Sequence, residues 1–320
     1  MPVLDMPIEE LRSYMGSSPR PVDFDSFWGD ALKEMRDVDP KVELEPAKFK
    51  APGADCFNLF FTGVGGARIR AKYLKPHKFS NPMPCVLQFH GYTASSGEWF
   101  SKLAFLNMGM AVAALDCRGQ GGMSEDSGCV KGNTQQGHII RGLSESPEKL
   151  LFRQIFLDAA QLAGIVMSFS EIDEERIAAM GGSQGGGLTL ACAALEPGIK
   201  LIAPWVPFLC DYKRVWEMDL DVDAYLELKK YFRMFDPLHE NESEIFTRLG
   251  YIDVQNLAGR IKAEVLWGIG LLDSICPPST QFAAYNKINS KKEMKVYPDF
   301  GHEGLSGFED LAYQFISRLC

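Results

Sequence analysis

Long apolar runs are missing from this chain. No stretch approaches the roughly 18 consecutive apolar residues that a membrane-spanning helix needs. The start, Met1-Pro2-Val3-Leu4-Asp5, lacks the basic and apolar regions of a secretion signal. No membrane partner is expected, and the expected location is cytoplasmic. Basic clusters are missing too: 33 Lys and Arg face 42 Asp and Glu, for a net charge of −9, and they gather nowhere. Without a basic patch to neutralise phosphates, a nucleic-acid partner is excluded. The Lys291-Lys292 pair reads as the polar end of a helix or a turn. No C-x-x-C occurs among the eight cysteines at 56, 85, 117, 129, 192, 210, 276 and 320, which argues against a zinc ribbon or a thioredoxin-like site. They read instead as small apolar core residues kept reduced, and the Asn241-Glu242-Ser243 sequon then has no meaning. Repeats and low-complexity linkers are also lacking. With 46% hydrophobic residues over 320 positions, the chain can bury a large core, and one domain spanning 1–320 is expected.

What the chain does have is glycine, 30 residues of it, five of them between 181 and 187. The run Gly181-Gly182-Ser183-Gln184-Gly185-Gly186-Gly187 is not a phosphate loop. Leu188 stands where the P-loop lysine is needed, and G-x-G-x-x-G does not occur in it. It is a G-x-S-x-G. The apolar run Arg176-Ile177-Ala178-Ala179-Met180 precedes it and the helix-forming segment Leu188 to Leu195 follows. Strand, sharp turn with serine, then helix is the context of a nucleophile elbow, which lifts the hydroxyl above the sheet edge. Gly181 and Gly185 are expected to let strand and helix approach closely enough for that turn. The plain alternative is a structural turn, since chance matches are common in a glycine-rich chain.

The elements around this run follow a recognisable rhythm. Two short N-terminal helices are expected within an extension over 1–40: Ile8 to Tyr14, and one starting near Asp23 or Asp25 with Phe27, Trp28, Leu32 and Met35 on one face. Strands Val42–Phe49, Asp55–Thr62 and Arg68–Leu74 follow, the last two forming a hairpin around Gly63-Val64-Gly65-Gly66. After Pro84, strands alternate with helices. The strands are Cys85–Phe89, Ala111–Leu115, the elbow strand, Leu201–Trp205, Ala263–Trp267 and Met294–Tyr297. The helices are Glu98–Asn107, Phe152–Ser168, the elbow helix, Ser279–Ile288 and a last one reaching Leu319. Near-continuous apolar strands separated by helices mean a mostly parallel sheet covered on both faces. The fold class is α/β, in the α/β-hydrolase layout, with a helical insertion over about 207–260.

A catalytic serine needs a base within hydrogen-bond reach and a carboxylate to orient that base. Of the histidines at 77, 90, 138, 239 and 302, only His239 and His302 lie downstream of Ser183. His302 sits between the last strand and the last helix, at the sheet edge where ligands of α/β folds gather. His239 reads as a surface residue at a helix start. For the acid, Asp273 follows a strand one unit before His302. Asp299 is better placed to shape the turn, and Asp253 to cap a helix. Oxyanion stabilisation needs two backbone N–H groups: one from Gln184, after the serine, and one from Tyr92 in the strand-exit loop His90-Gly91-Tyr92-Thr93.

Taken together, these motifs resemble the acetyl xylan esterase / cephalosporin C deacetylase family of carbohydrate esterases, nearly end to end. The resemblance rests on Pro21-Val22-Asp23-Phe24-Asp25-Ser26-Phe27-Trp28, His90-Gly91-Tyr92 and Arg118-Gly119-Gln120-Gly121-Gly122. It continues through the elbow, Gly270-Leu271-Leu272-Asp273 with Cys276-Pro277-Pro278-Ser279-Thr280, and Gly301-His302-Glu303. It implies a triad of Ser183, Asp273 and His302, oxyanion donors at Tyr92 and Gln184, and supporting roles for Arg118 and Gln120 without a metal or other cofactor. Arg118 itself reads as a structural salt bridge or backbone contact. The implied chemistry is deacetylation of small acetylated sugars and of cephalosporin C-like substrates, in a ring-like homo-hexamer. A peptidase or dienelactone-type hydrolase using the same triad is the enzymatic alternative, and a ligand-binding protein on this scaffold the non-enzymatic one. The chain departs from the family pattern at Leu150-Leu151-Phe152-Arg153 and from Trp205 to Trp216.

Overall fold

The structure is a computed structural model that describes residues 4–126, 134–220 and 222–320; Met1-Pro2-Val3 and Cys129 lie outside them. The strands are β1 (Glu43–Pro46), β2 (Ala54–Thr62), β3 (Arg68–Pro76), β4 (Met83–Phe89), β5 (Ala111–Leu115), β6 (Ile172–Gly182), β7 (Leu201–Trp205), β8 (Glu264–Gly270) and β9 (Lys292–Tyr297). They form one sheet in the order β1-β2-β3-β5-β4-β6-β7-β8-β9. The pairings up to β3–β5 are antiparallel and those from β5–β4 onward are parallel. Two helices precede the sheet, α1 (Ile8–Leu11) and α2 (Phe24–Asp37). Within it come α3 (Leu103–Leu106), α4 (Leu151–Met167) and α5 (Gln184–Leu195). Between β7 and β8 stand α6 (Tyr212–Glu217), α7 (Leu226–Phe235), α8 (Glu242–Leu249) and α9 (Val254–Leu257). The last two are α10 (Pro278–Lys287) and α11 (Phe308–Ile316).

The sheet is covered on both faces because its central strands are apolar on both. All five residues of β5 are buried. Along β4, Cys85, Leu87 and Phe89 pack with α4 and α5, while Val86 packs on the other side with Phe105 of α3 and Phe308 of α11. Parallel direction then brings the C-terminal ends of β4, β6, β8 and β9 to one edge. The loops carrying His90, Ser183, Asp273 and His302 all leave the sheet there, as ligand-bearing loops of open α/β sheets do.

Helix α2 buries Phe24, Phe27, Trp28, Ala31 and Met35, a stripe at helical spacing. The Trp28 ring stacks on Phe156 of α4 at 6.0 Å, and its indole N–H donates to the Tyr251 carbonyl at 3.0 Å. At the first sequence departure, Arg153 of α4 is buried and pairs with Glu34 of α2 at 2.6 Å. The N-terminal helix is thereby clasped between α4 and the insertion.

Tertiary contacts shorten several elements relative to their sequence patterns. The helix expected over Glu98–Asn107 is reduced to one 3-10 turn and the single turn of α3. The preceding backbone is held as a loop: Ser96 N–H donates to buried Asp116 at 2.8 Å, and the Lys72 ammonium donates to the Gly97 carbonyl. The strand expected over Val42–Phe49 stops at Pro46, which has no N–H for the ladder. Helix α1 ends at Leu11 rather than Tyr14, and Gly16 at φ +89° soon turns the chain. Trp28→Ala is expected to cost about 3–5 kcal/mol, read as a lower midpoint in urea unfolding, with a smaller loss for Trp28→Phe.

Candidate active site

Ser183 closes β6 and opens α5 with φ 54° and ψ −123°, a backbone conformation that costs about 1–3 kcal/mol for a residue with a side chain. A Cβ on Gly185 would lie 2.1 Å from the Phe89 carbonyl oxygen, and one on Gly181 2.6 Å from the Gly185 backbone. Strand and helix therefore cross at a distance only glycine permits. Gly182 is closed to a Cβ for another reason, the Trp205 indole 2.3 Å away. Backbone bonds from Ser183 N to the Trp205 carbonyl, 3.1 Å, and from Phe208 N to the Ser183 carbonyl, 3.0 Å, tie the turn to the chain leaving β7.

His302 bridges the serine and the acid. Its Nε2 lies 2.8 Å from Ser183 Oγ and its Nδ1 2.9 Å from Asp273 Oδ2. The partners assign the tautomer: Nδ1–H donates to the carboxylate, and Nε2 accepts the serine hydroxyl proton. Asp273 is fully buried and also accepts from Ile275 N at 3.0 Å, Cys276 N at 2.7 Å and the Gln281 amide at 3.3 Å. A backbone bond from Leu272 N to the Phe300 carbonyl, 2.9 Å, holds the Asp273 loop against the His302 loop. The other candidates stand elsewhere. His239 is exposed, pairs with Glu242 at 3.3 Å and lies 4.8 Å from the Phe232 ring. Asp299 is exposed in the turn after β9, and Asp253 caps α9 through Gln255 N.

Two loops flank Ser183, and buried side chains lock them together. As the first residue of α5, Gln184 has a backbone N–H with no intrahelical acceptor. The Gln184 side chain is paired with Gln120, whose Nε2 donates to Gln184 Oε1 at 2.7 Å. Gln120 Oε1 also accepts from Thr93 N at 3.0 Å, so one buried amide joins the loop after β4 to the start of α5. His90 works in the same loop: its ring bridges the Gly91 carbonyl, 2.8 Å, and Cys117 N, 3.0 Å. Burial lowers its pKa, which suits the neutral ring that this pairing requires. The Tyr92 hydroxyl donates to Glu227 of α7, and Glu227 also accepts from Ile139 N at 2.9 Å. Burial, and then the Glu227 charge, push the Tyr92 pKa far up. The side chain of Tyr92 is thus anchored in the insertion. The sequence marks Glu227 only as a carboxylate on an apolar stripe, the buried stripe of α7 that it shares with Leu228, Tyr231 and Phe232.

Arg118 takes no part in the cleft around Ser183. Its guanidinium forks onto Asp158 at 2.5 and 2.6 Å and donates to the Val64 carbonyl at 3.0 Å, with both side chains fully buried. Phe89, His90, Gly91, Ser183, Trp205 and His302 line an open cleft of about 360 Å³. Asp273, Cys276 and His302 also present ligand atoms within 4.8 Å of one another. Burial pushes the Cys276 thiol well above its usual pKa, and a protonated thiol is a poor metal ligand. The group therefore suits proton transfer better than metal binding. Arg118→Met leaves the Asp158 carboxylate buried without its partner and is expected to destabilise the fold by about 3–5 kcal/mol. Arg118→Met combined with Asp158→Leu should recover most of that loss in chemical denaturation.

Known proteins share this fold and much of this sequence. The family model described as acetyl xylan esterase (AXE1) matches residues 1–319. The crystal structure of acetyl xylan esterase 1 from Thermoanaerobacterium sp. JW/SL YS485 superposes with a TM-score of 0.96 at 58% identity, covering 99% of both chains. The acetyl xylan esterase from Paenibacillus sp. R4 superposes with a TM-score of 0.91 at 35% identity, covering 98% of this chain and 99% of the other. The acetyl esterase Axe7A of Xylanibacter ruminicola is 25% identical over 91% of this chain, which spans 64% of that protein's length. On the whole-chain family match and the 58% identical structure, this chain belongs to the acetyl xylan esterase family.

Proposed function

We propose that the chain is a serine esterase that removes acetyl groups from small acetylated sugars, foremost xylo-oligosaccharides. The observation that carries this reading is the relay of Asp273, His302 and Ser183, with contacts of 2.9 and 2.8 Å, opening into one cleft. His302 Nε2 takes the Ser183 proton as Oγ bonds to the acetyl carbonyl carbon. The resulting oxyanion is met by the Tyr92 and Gln184 backbone N–H groups, and Asp273 stabilises the imidazolium. His302 returns the proton to the sugar oxygen as the ester C–O bond breaks. A water then gives a proton to His302 and attacks the acetyl-enzyme, releasing acetate and restoring the Ser183 hydroxyl. No step calls for a metal or cofactor.

The reading extends to cephalosporin C-like acetyl esters, which offer the same acetyl carbonyl to the same serine. A homo-hexamer is part of it, supported by exposed Met234 and Phe235 at the end of α7 and Leu238 just after it, apolar side chains suited to subunit contact. A cytoplasmic location is supported by the six described cysteines that are buried as free thiols.

Ser183→Ala is expected to abolish both the burst and the steady turnover of p-nitrophenyl acetate; retained turnover would sink the reading. Tyr92→Phe, which removes the hydroxyl held by Glu227, should lower kcat about tenfold with little change in KM. That is less than the 10²–10³ of an outright lost oxyanion donor. An unchanged kcat would show that Glu227 does not position Tyr92.

A further inference from the structure

Beside the catalytic cleft lies a second one of about 390 Å³, within the size range of small-ligand sites. Phe89, His90 and Trp205 line both, so the two share a wall. The second cleft runs over the sheet face that carries α3 and α11. Its floor includes Gln88 and Met180, its one flank Lys102, and its other flank Glu309, Asp310 and Tyr313.

The chemistry of this cleft is mixed in a particular way. Lys102 is only 9% exposed, and its ammonium donates to Ser101 Oγ at 3.2 Å, which uses one of its three protons. Burial, with Lys72 nearby, brings its pKa down to about 8. Across the cleft, Glu309 and Asp310 are exposed carboxylates that supply acceptors only. An anion would meet those carboxylates and a cation would meet Lys102. A neutral polyol suits both flanks, because each hydroxyl both donates and accepts. The shared wall is aromatic: the Trp205 indole lies over Gly182 and 5.9 Å from the Phe308 ring.

We propose that this cleft is the subsite for a second pyranose ring of the leaving saccharide, with Trp205 as the platform between the rings and Lys102, Glu309 and Asp310 bonding the hydroxyls. The proposal rests on the acetyl-sugar esterase reading and adds chain-length selectivity to it.

The test compares kcat/KM for acetylated xylobiose, acetylated xylose and p-nitrophenyl acetate in the wild type, Lys102→Met and Asp310→Asn. Because p-nitrophenyl acetate has no second ring, it normalises for folding and for the chemical step. Asp310 is at the surface, so its variant tests the site even where Lys102→Met folds poorly. The wild type should prefer the disaccharide over the single ring by about tenfold, and each variant should lose most of that preference, the scale of one hydrogen bond to a charged group. A wild type with equal kcat/KM for one and two rings, or variants that keep the preference, would overturn the subsite. Turnover of p-nitrophenyl acetate without turnover of either sugar would instead overturn the acetyl-sugar reading on which it rests.

Discussion

The molecule depends on one crossing, where α5 passes over β6 so tightly that Gly185 lies against the Phe89 carbonyl and Gly181 against Gly185. That approach forces Ser183 to φ 54° and sets its hydroxyl at the sheet edge. The strain is held because everything around it is fixed. The contacts that fix the turn are backbone to backbone, from Ser183 N to the Trp205 carbonyl and from Phe208 N to the Ser183 carbonyl. A side chain at either glycine would separate strand from helix, and with them the serine from His302.

A second tier of buried polar contacts turns a positioned serine into a positioned site. Gln120 joins the loop after β4 to the start of α5. His90 braces that loop from below, and Glu227 reaches it from the insertion through Tyr92. Arg118 and Asp158, sealed from water, hold the segment before Gln120 in place. Buried polar groups of this kind are costly unless every partner is present. The same contacts that shape the two loops beside Ser183 therefore also resist their movement. The insertion, which a sequence pattern marks only as extra helices, becomes part of the site's scaffold.

Much of this was legible beforehand. Near-continuous apolar runs such as Ala111–Leu115 foretold a covered sheet, and the order Ser183, Asp273, His302 foretold which loops would meet. Boundaries were less legible where long-range bonds override local preference, as when Asp116 and Lys72 hold the chain before α3 as a loop. Charged residues in the interior were least legible. Lys102 looks like an ordinary surface residue in a linear reading and only packing reveals that it is buried, while the one sign of Glu227 is its place on an apolar helical stripe. The Gln120–Gln184 pair was legible in part, since both stood in recognisable motifs, but their contact spans 64 positions.

The residues alone settle what is local and covalent in reach: a glycine-flanked serine, apolar strand periodicity, an acid and a histidine in workable order, and membership of the acetyl xylan esterase family through whole-chain similarity. Tertiary structure decides what depends on distance. It selects His302 over His239 by placing its Nε2 2.8 Å from Ser183 Oγ. It gives Arg118 a structural partner in Asp158, and it lays Trp205 between two clefts. Hydrogen bonds and packing act over a few ångströms in space, whereas the residues that make them lie tens to hundreds of positions apart along the chain.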